Sequence, residues 1–582
     1  MHASETHITI DATMTLLLDT TIPRTLTELV ERFSKTPATR IEAWVFDDAR
    51  TREAAQRQLA AAGVQATLRS AYKPLLHFLL EEVDPRCLTD VTIQTPAGAE
   101  HRFRLEAFPL AGLLPQAKLT FSEGTDATHY VVTVPGATYR VFAPNTAQHS
   151  PCGWLRVWQG DRLEQDGPLV TEFEAAYAAA IDAIRNHAWP QQAPFFEKLC
   201  IGIETGGIEH RLPYHDECIS TREALHEDLY FSVLEFFQAR AGVPLGDRTL
   251  KPGQIIPEIV ESAGATRVRV SLRPYDTVAE PVVDTALSEA AQLDDADRPL
   301  TLAQVDAQLR SLNGVPFGTV SREGRRVTGI HVRGGLPGLV ISAGQHANET
   351  SGIVGALRAA HMLKTRHDAH FALIGVENPD GYALHHRLRE RNPHHMLHAA
   401  RYTALGDDLE ARRVEPFGEM AVRLEAIERT QAGLHISMHG YPAHEWTRAS
   451  TGYIPQGFEH WTIPKGFFLI LRHHQGLDGM AFLEALTAQL ATSPELAAFN
   501  AEHLRTWHAH AGEMPYPVLH GIPCMIMEDH RSTVPFTLVT EYPDQTIYDS
   551  AFRLAHTTQA RAARIAADLY WSGLLDATGS AR

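Results

Sequence analysis

The sequence predicts an α/β protein whose C-terminal half is a mixed, mostly parallel sheet flanked by helices, preceded by α+β and β-rich accessory units. An apolar run, LVISA at 339–343, is followed by a small-residue turn and then by IVGALRAAHMLK at 353–364, with apolar residues at helical spacing. A buried strand that leads into a helix is the building unit of parallel sheets. With 582 residues, the chain is also too long for one compact domain.

Three units follow from the pattern of elements, with boundaries at 1–165, 166–298 and 299–575. In the first unit we expect a strand at 40–46, a helix at 47–62 and, after residue 83, β-type runs that include HRFRLEAFPL at 101–110. The second unit contains helical patterns at 169–187 and 221–240. Ser220 and Glu223 have the spacing of a capping box at the start of the second helix.

The acidic, alanine-rich stretch 277–299 is predicted to be a linker, and 300–312 to be the first helix of the third unit. His210, His215, Asp216, Glu217, His226 and Glu227 crowd the second unit, but position 230 is Tyr, so no H-E-x-x-H motif is formed. A solvated helix face is the favoured interpretation of this cluster, and a second metal or substrate site is the alternative.

Composition limits the class of protein and its partners. The formal net charge of −18 argues against nucleic-acid binding and against an anionic membrane surface. The five Cys residues are scattered without a C-x-x-C pair, which is typical of a reducing compartment. The N-terminal segment has no basic region before its short apolar run, and no stretch is apolar enough to cross a membrane. We therefore expect a cytoplasmic protein.

His346 and Glu349 lie in the turn between the predicted strand and helix, where open α/β sheets place their ligands. An imidazole and a carboxylate three positions apart can both reach one divalent ion, and nitrogen with oxygen donors suits zinc. A catalytic zinc needs a third protein ligand. His439 at the end of the apolar segment LHISMHGY, at 434–441, is the best candidate, because a strand there would end at the same edge of the sheet.

The residues from about 300 to 560 resemble the zinc carboxypeptidase (metallocarboxypeptidase) family. Separate segments carry the resemblance in the family's order: FGTVSREGRRVTGIHV at 317–332, GQHANE at 344–349, ENPDGY at 377–382 and ISMHGY at 436–441. A further segment, RYTALGDDLE at 401–410, is similar to the family pattern R-x-N-x-x-G-V-D-x-N-R.

The resemblance implies one zinc ion per chain, held by His346, Glu349 and His439. It implies that Arg401 stabilises the oxyanion, with Arg389 as the rival for this role. It further implies that Asp408 orients His346 and that Tyr441 lines the substrate cleft.

The sequence departs from the family at the site of the substrate's terminal carboxylate. Where the family has Asn-Arg, this chain has Glu410-Ala411, followed by Arg412. A Glu at this place would repel a carboxylate. Arg412 or Arg389 is then the candidate replacement for the missing Arg, and both are predicted to bind substrate together with Glu410.

Glu541, in the segment PFTLVTEYP at 535–543, falls on the family's general base, with Glu528 as its rival. Tyr516 is the candidate for the family's substrate-touching Tyr. These residues predict a zinc-dependent hydrolase that cleaves an amide or peptide bond with metal-activated water. The alternatives are a deacylase of small N-acyl amino acids, of the desuccinylase or aspartoacylase type, and a non-catalytic binding protein. A peptide or small amide is the expected partner, and a homo-oligomer through the N-terminal half stays open.

Overall fold

The structure is a computed structural model that describes residues 14–36, 39–83, 88–276, 292–453 and 461–575. Its N-terminal half contains these elements in chain order: β1 (Thr15–Ile22), α1 (Thr25–Phe33), β2 (Thr39–Val45), α2 (Ala49–Ala61), β3 (Gln65–Ser70), α3 (Pro74–Glu81), β4 (Asp90–Thr95), α4 (Glu100–Glu106), α5 (Leu110–Leu113), β5 (Lys118–Glu123), β6 (His129–Val134), β7 (Ala137–Phe142), β8 (Trp154–Gln159), β9 (Arg162–Pro168), α6 (Glu172–Asn186), β10 (Lys198–Thr205), β11 (Glu209–Arg211), β12 (Cys218–Ser220), α7 (Thr221–Ala241), β13 (Gln254–Glu261) and β14 (Thr266–Arg273).

Three four-stranded sheets organise this half, in the orders β1-β14-β10-β13, β3-β2-β8-β9 and β5-β4-β6-β7. Strand β1 pairs antiparallel with β14, so the first strand of the chain completes a sheet of the second predicted unit. The predicted boundary at residue 165 falls within β9. The first two units are therefore joined by shared strand pairing. Residues 277–291 of the predicted linker lie outside the part of the chain that the structure describes.

The segment HRFRLEAFPL was predicted to be β-type, and this prediction is wrong. Residues 100–106 form α4, and residues 110–113 form α5. An i,i+4 ion pair between Arg102 and Glu106 (3.0 Å) supports the helix, and Phe103 is buried in the core of the N-terminal half. Polar and apolar residues alternate in this segment, so its helical face was not recognised from the sequence.

The N-terminus of α7 is capped as predicted by Ser220, whose Oγ accepts a hydrogen bond from the Glu223 N–H (3.1 Å). The Glu223 side chain, however, does not close a capping box. Its carboxylate lies 2.8 Å from Nε2 of His444, in the C-terminal half. The Glu223 carboxylate is therefore buried against the C-terminal half and does not contribute to the cap of α7.

The C-terminal half contains these elements: α8 (Leu302–Ser311), β15 (Val315–Val320), β16 (Arg326–Val332), β17 (Leu339–Ala343), α9 (Ser351–Lys364), β18 (Phe371–Ile374), α10 (Pro379–Arg389), α11 (Ala421–Thr430), β19 (Leu434–Tyr441), β20 (Phe468–His473), α12 (Met480–Leu490), α13 (Pro494–Ala511), β21 (Val518–Leu519), β22 (Ile522–Glu528), β23 (Phe536–Pro543) and α14 (Asp549–Trp571).

A nine-stranded mixed sheet forms the centre of this half, in the order β15-β16-β18-β17-β19-β23-β20-β22-β21. The central strands β18, β17, β19 and β23 are parallel to one another, and β20 runs antiparallel to β23. Every residue of β17, β19 and β23 is buried, as expected for strands covered on both faces. The predicted fold class, a mixed α/β sheet flanked by helices, is confirmed.

The two faces of the sheet have separate cores. Leu339, Ile341 and Leu434 contribute to a core that also contains residues of α9, α12 and α14. Val340 contributes to a smaller core with residues of α11 on the opposite face. Because side chains alternate along a strand, His435, Ser437 and His439 of β19 point to the side of Val340. In the described residues, no helix is long and apolar enough to span a membrane.

Helices α9 and α14 pack closely because small residues meet at their contact. A Cβ atom on Gly355 of α9 would lie 2.9 Å from Cβ of Gln559 and 3.4 Å from the backbone N of Ala560 in α14. Ala normally stabilises a helix by about 1 kcal/mol relative to Gly. Here the overlap with backbone-proximal atoms requires the helices to separate, which typically costs about 1–3 kcal/mol.

We therefore expect Gly355→Ala to lower the thermal unfolding temperature of the C-terminal half, measured by scanning calorimetry. Gly335→Ala is the matched control, since a Cβ at that position meets nothing within 4 Å. An unchanged or raised unfolding temperature in Gly355→Ala would contradict the close contact between the helices.

Candidate metal centre

Three buried side chains converge at the carboxyl ends of β17 and β19. His346 and Glu349 come from the turn between β17 and α9, and His439 comes from β19. Nδ1 of each imidazole lies 2.9 Å from an oxygen of the Glu349 carboxylate, and the two Nδ1 atoms are 3.1 Å apart. The structure thus brings the three residues predicted as metal ligands into one cluster.

The distances fit a divalent ion bound by nitrogen and oxygen. Tetrahedral zinc with bonds of about 2.0–2.1 Å holds its donors about 3.3 Å apart. The observed separations of 2.9 and 3.1 Å are close to that value. Neutral imidazoles and a carboxylate are suitable donors, because an ion takes the place that a proton would otherwise occupy between them.

The tautomer of His346 is set by Asp408. Nε2 of His346 lies 3.3 Å from Oδ2 of Asp408, and Gln345 Nε2 donates to the other oxygen at 3.0 Å. An Nε2–H that faces the carboxylate leaves the lone pair of Nδ1 directed at the ligand cluster. Burial and the charge of Arg401 lower the pKa of His346, but Glu349 and Asp408 together outweigh them and leave the pKa raised. The field at this imidazole therefore favours a cation.

Glu349 is the acceptor shared by the cluster. Arg401 Nη1 donates to its Oε1 at 2.6 Å, and the N–H of Gly440 donates to Oε2 at 3.1 Å. Burial alone would raise the pKa of Glu349, but His346, Arg401 and His439 hold it well below its usual range. The carboxylate is thus kept charged in a buried position. Arg401 also lines the pocket over the cluster.

Glu541 lies beside His439 because the two residues are register partners in the parallel pair β19–β23. Register partners point to the same face of a sheet, so the carboxylate is directed to the side of the ligand cluster. Its Oε2 is buried and has no hydrogen-bond partner among the described residues. Burial and the nearby charge of Glu349 raise the pKa of Glu541 well above its usual value.

A pocket opens over the cluster, and its floor comes from three neighbouring strands. Antiparallel pairing of β20 with β23 places Ile470 beside Val539, and Arg472 beside Thr537. The polar side chains around the pocket are Arg248, His346, His398, Arg401, Glu410, His439, Tyr441, Arg472 and Glu541. Trp446, Trp461 and Pro442 add apolar wall.

Glu410 was predicted to repel a substrate carboxylate, but it is not an isolated negative charge. Its carboxylate is bonded to Nη1 of Arg472, and Arg531 Nη1 is 3.4 Å away. Burial would raise the pKa of Glu410, but these two guanidinium groups lower it. Asp529 accepts a hydrogen bond from Nε of Arg531 and lies 3.6 Å from Nε of Arg472.

Arg412 is a structural residue in this arrangement. It donates to both oxygens of Asp407 (2.7 and 2.9 Å) and to Glu419 (2.6 Å), and its side chain is 2 % exposed. Its position therefore gives no support to the prediction that Arg412 contacts substrate.

Three other predicted residues lie outside the described lining of the pocket. Arg389 is at the end of α10, with its guanidinium 5.9 Å from the ring of Tyr548. Tyr516 is half-buried before β21. Glu528, the rival to Glu541, is exposed at the end of β22, with its carboxylate 3.3 Å from His530. Tyr441 lines the pocket and donates through its hydroxyl to Gly466 O at 2.6 Å.

Sequence reasoning missed three polar residues of the pocket. Arg472 could have been found from the alternation of β20. Arg248 and His398 had no local signal, because both depend on the N-terminal half. Nδ1 of His398 is bonded to the carboxylate of Glu227 in α7. Glu227, His226 and Glu217 are all buried, so the interpretation of this polar cluster as a solvated helix face is wrong for these residues.

No protein-family model matches the chain, and no curated protein sequence matches it. Among solved structures, the chain is similar to the metallo-carboxypeptidase from Pseudomonas aeruginosa in complex with (2-guanidinoethylmercapto)succinic acid, with 14 % identity over 54 % of this chain and 76 % of that chain, and a TM-score of 0.28. It is also similar to the metallo-carboxypeptidase from Burkholderia cenocepacia (13 %, 54 % and 77 %, TM-score 0.29) and to carboxypeptidase A from Helicoverpa armigera (11 %, 59 % and 95 %, TM-score 0.30).

We expect His439→Ala to lose the bound metal, because two ligands do not retain a divalent ion as three do. Asp408→Asn should weaken metal binding by about 10–100-fold, since the orienting carboxylate is lost while all three ligands remain. Metal content and competition with a chromophoric chelator measure both effects. Glu541→Gln is the control that should keep full affinity. Equal affinity in Asp408→Asn and the parent protein would contradict the role of Asp408.

Proposed function

We propose that the protein is a zinc-dependent hydrolase that cleaves an amide or peptide bond in the manner of a carboxypeptidase. The observation that supports this most directly is the register of β19 and β23. It puts the carboxylate of Glu541 next to His439, at the edge of the sheet where His346 and Glu349 also lie. Ligands for an ion and a proton acceptor are thereby combined in one pocket.

His346, Glu349 and His439 would hold the zinc ion. When bound, zinc supplies a Lewis acid that polarises a carbonyl group and lowers the pKa of water towards about 7. The remaining chemistry is the task of the protein's own side chains.

Glu541 is proposed to act as the general base. Its buried Oε2, which lacks a hydrogen-bond partner among the described residues, is free to accept the proton of an attacking water. The same carboxyl group can then pass this proton to the nitrogen of the leaving amine.

Arg401 is proposed to stabilise the oxyanion. Its guanidinium is only 16 % exposed, lines the pocket and is fixed by the bond to Glu349. A donor fixed in this way needs no reorganisation when negative charge develops on the carbonyl oxygen, and such donors typically contribute about 3 kcal/mol.

Arg472 is proposed to take the place of the arginine that is missing at Ala411. It lies on the same face of the sheet as Glu541, on the neighbouring strand, and lines the pocket. Glu410 holds this guanidinium in place, so a substrate carboxylate would share it with, or take it from, Glu410. The substrate in this proposal is a chain with a free C-terminal carboxylate.

Glu541→Gln should keep one zinc ion per chain and lose about 10²–10⁴-fold in kcat, because the amide cannot accept the proton. The assay is hydrolysis of N-acylated dipeptides, measured as the amount of amine released with and without chelator. Glu528→Gln is the matched control outside the pocket and should keep full activity. Parent-like turnover in Glu541→Gln would remove the base assignment.

Arg472→Gln should raise KM by about tenfold or more for peptides with a free C-terminus and change kcat little, since a charge-assisted hydrogen bond typically contributes about 1.5–3 kcal/mol. The same peptides with an amidated C-terminus should be poor substrates of both proteins. Arg366→Gln is the control, since Arg366 is an exposed residue two positions after the end of α9. Equal cleavage of acid and amide by the parent protein would contradict the carboxylate site.

A further inference from the structure

A loop of the N-terminal half is docked onto the turn that contains Asp408. The N–H of Asp408 donates to the carbonyl of Arg248 at 3.0 Å, and the N–H of Gly253 donates to the carbonyl of Leu405 at 3.1 Å. Between them, Gly406 has φ of +86°, and a Cβ there would lie 2.4 Å from the carbonyl oxygen of Gly253. The backbone fit fixes residues 248–253 against the wall of the metal pocket.

This docking brings the side chain of Arg248 into the pocket. Its Nη1 lies 3.4 Å from Oδ2 of Asp408, the same oxygen that faces His346. The side chain is 45 % exposed, whereas Arg401 and Arg472 are 16 % and 17 % exposed. Among the described residues, Asp408 is the only group bonded to this guanidinium. Arg248 therefore has the most exposed side chain of the three arginines that line the pocket.

The charge of Arg248 is also incompletely neutralised. Asp408 is shared, since it accepts from Gln345 Nε2 and from the N–H of Glu410 (both 3.0 Å) and faces His346. The long bond of 3.4 Å to Arg248 is the weakest of these contacts by distance. Arg248 can thus bind a further anion without giving up its contact with Asp408.

The position of Arg248 along the sheet indicates which part of a substrate it would meet. Arg248 contacts Asp408, the carboxylate that also faces His346 after β17, whereas Arg472 belongs to β20. The order β17-β19-β23-β20 separates these strands by three spacings, or about 14 Å. His439 and Glu541 come from the two strands between. A substrate whose leaving group reaches Arg472 would therefore direct its acyl part towards Arg248.

We propose that Arg248 is a specificity-determining residue that binds an anionic group on the acyl side of the scissile amide. This assignment rests on the proposed function for the direction of the substrate. It makes the N-terminal half a part of the binding site, and it predicts substrates that are acidic on the acyl side, such as chains with a carboxylate within a few bonds of the reacting carbonyl.

The test compares two ligands that differ only in charge: an N-succinyl dipeptide and its N-succinamoyl counterpart, in which a carboxamide replaces the succinyl carboxylate. Affinity is measured by titration calorimetry with zinc-loaded Glu541→Gln protein, so that slow turnover does not consume the ligand. We expect the succinyl ligand to bind about tenfold or more tightly than the amide. Arg248→Gln in the same background should abolish this preference and leave binding of the amide within about twofold.

Lys251→Gln is the matched control. Lys251 belongs to the same loop, and its Nζ lies 3.8 Å from Asp407, but it does not line the pocket. It should keep the preference for the succinyl ligand. The zinc content of Arg248→Gln, measured in parallel, should equal that of the parent, which separates anion binding from a loss of His346 orientation.

Two results would overturn the proposal: equal affinity of the two ligands for the protein with Arg248 present, or the same loss of preference in Lys251→Gln as in Arg248→Gln. The second result would reduce Arg248 to a docking residue. Hydrolysis of both ligands by the parent protein is recorded separately. If no amide is cleaved but the charge preference follows Arg248, the hydrolase proposal fails while the anion site stands.

Discussion

The buried carboxylate of Glu349 is the constraint on which the site depends. A buried charge is costly unless it is compensated, and Glu349 draws its compensation from His346, His439, Arg401 and the N–H of Gly440. These groups come from the ends of β17 and β19 and from the segment that follows α10. They can meet only if the parallel strands end at the same edge. The mixed sheet thus brings distant parts of the chain together around one carboxylate. A bound cation would compensate the charge of that carboxylate further.

Asp408 connects this centre with the N-terminal half. One of its oxygens faces His346 on one side and Arg248 on the other, so the orientation of the imidazole and the position of the loop at 248–253 depend on the same group. Further buried polar contacts cross between the halves: Glu227 with His398, Glu223 with His444, and Lys73 with Glu445. Removal of one partner of a buried ion pair strongly destabilises a protein, because the other charge stays buried without compensation. The two halves therefore form one structural unit around the pocket.

Much of the C-terminal half could be predicted from the sequence because its signals are local. The apolar run at 339–343, the turn with His346 and Glu349, and the segment ending in His439 all lie where strand patterning placed them. The role of Glu541 stays a prediction, although the register with His439 supports it. Arg472 could have been inferred from the alternation of β20, whereas Arg248 could not, because its place in the pocket depends on the docking of a loop that is distant in sequence. The helix at 100–106 was missed because its core-facing residues also fit an alternating pattern.

The pair of Glu410 and Arg472 shows why a substitution at a binding site cannot be judged from one position. By itself, Glu410 adds a negative charge at the place expected to bind a substrate carboxylate. In the structure it neutralises one guanidinium and is near a second, Arg531, so its negative charge is compensated. A substrate carboxylate that binds Arg472 must therefore compete with an internal carboxylate, and the net gain is a difference between two similar interactions. The less neutralised Arg248 is then the group from which a larger share of the charge-dependent affinity would come.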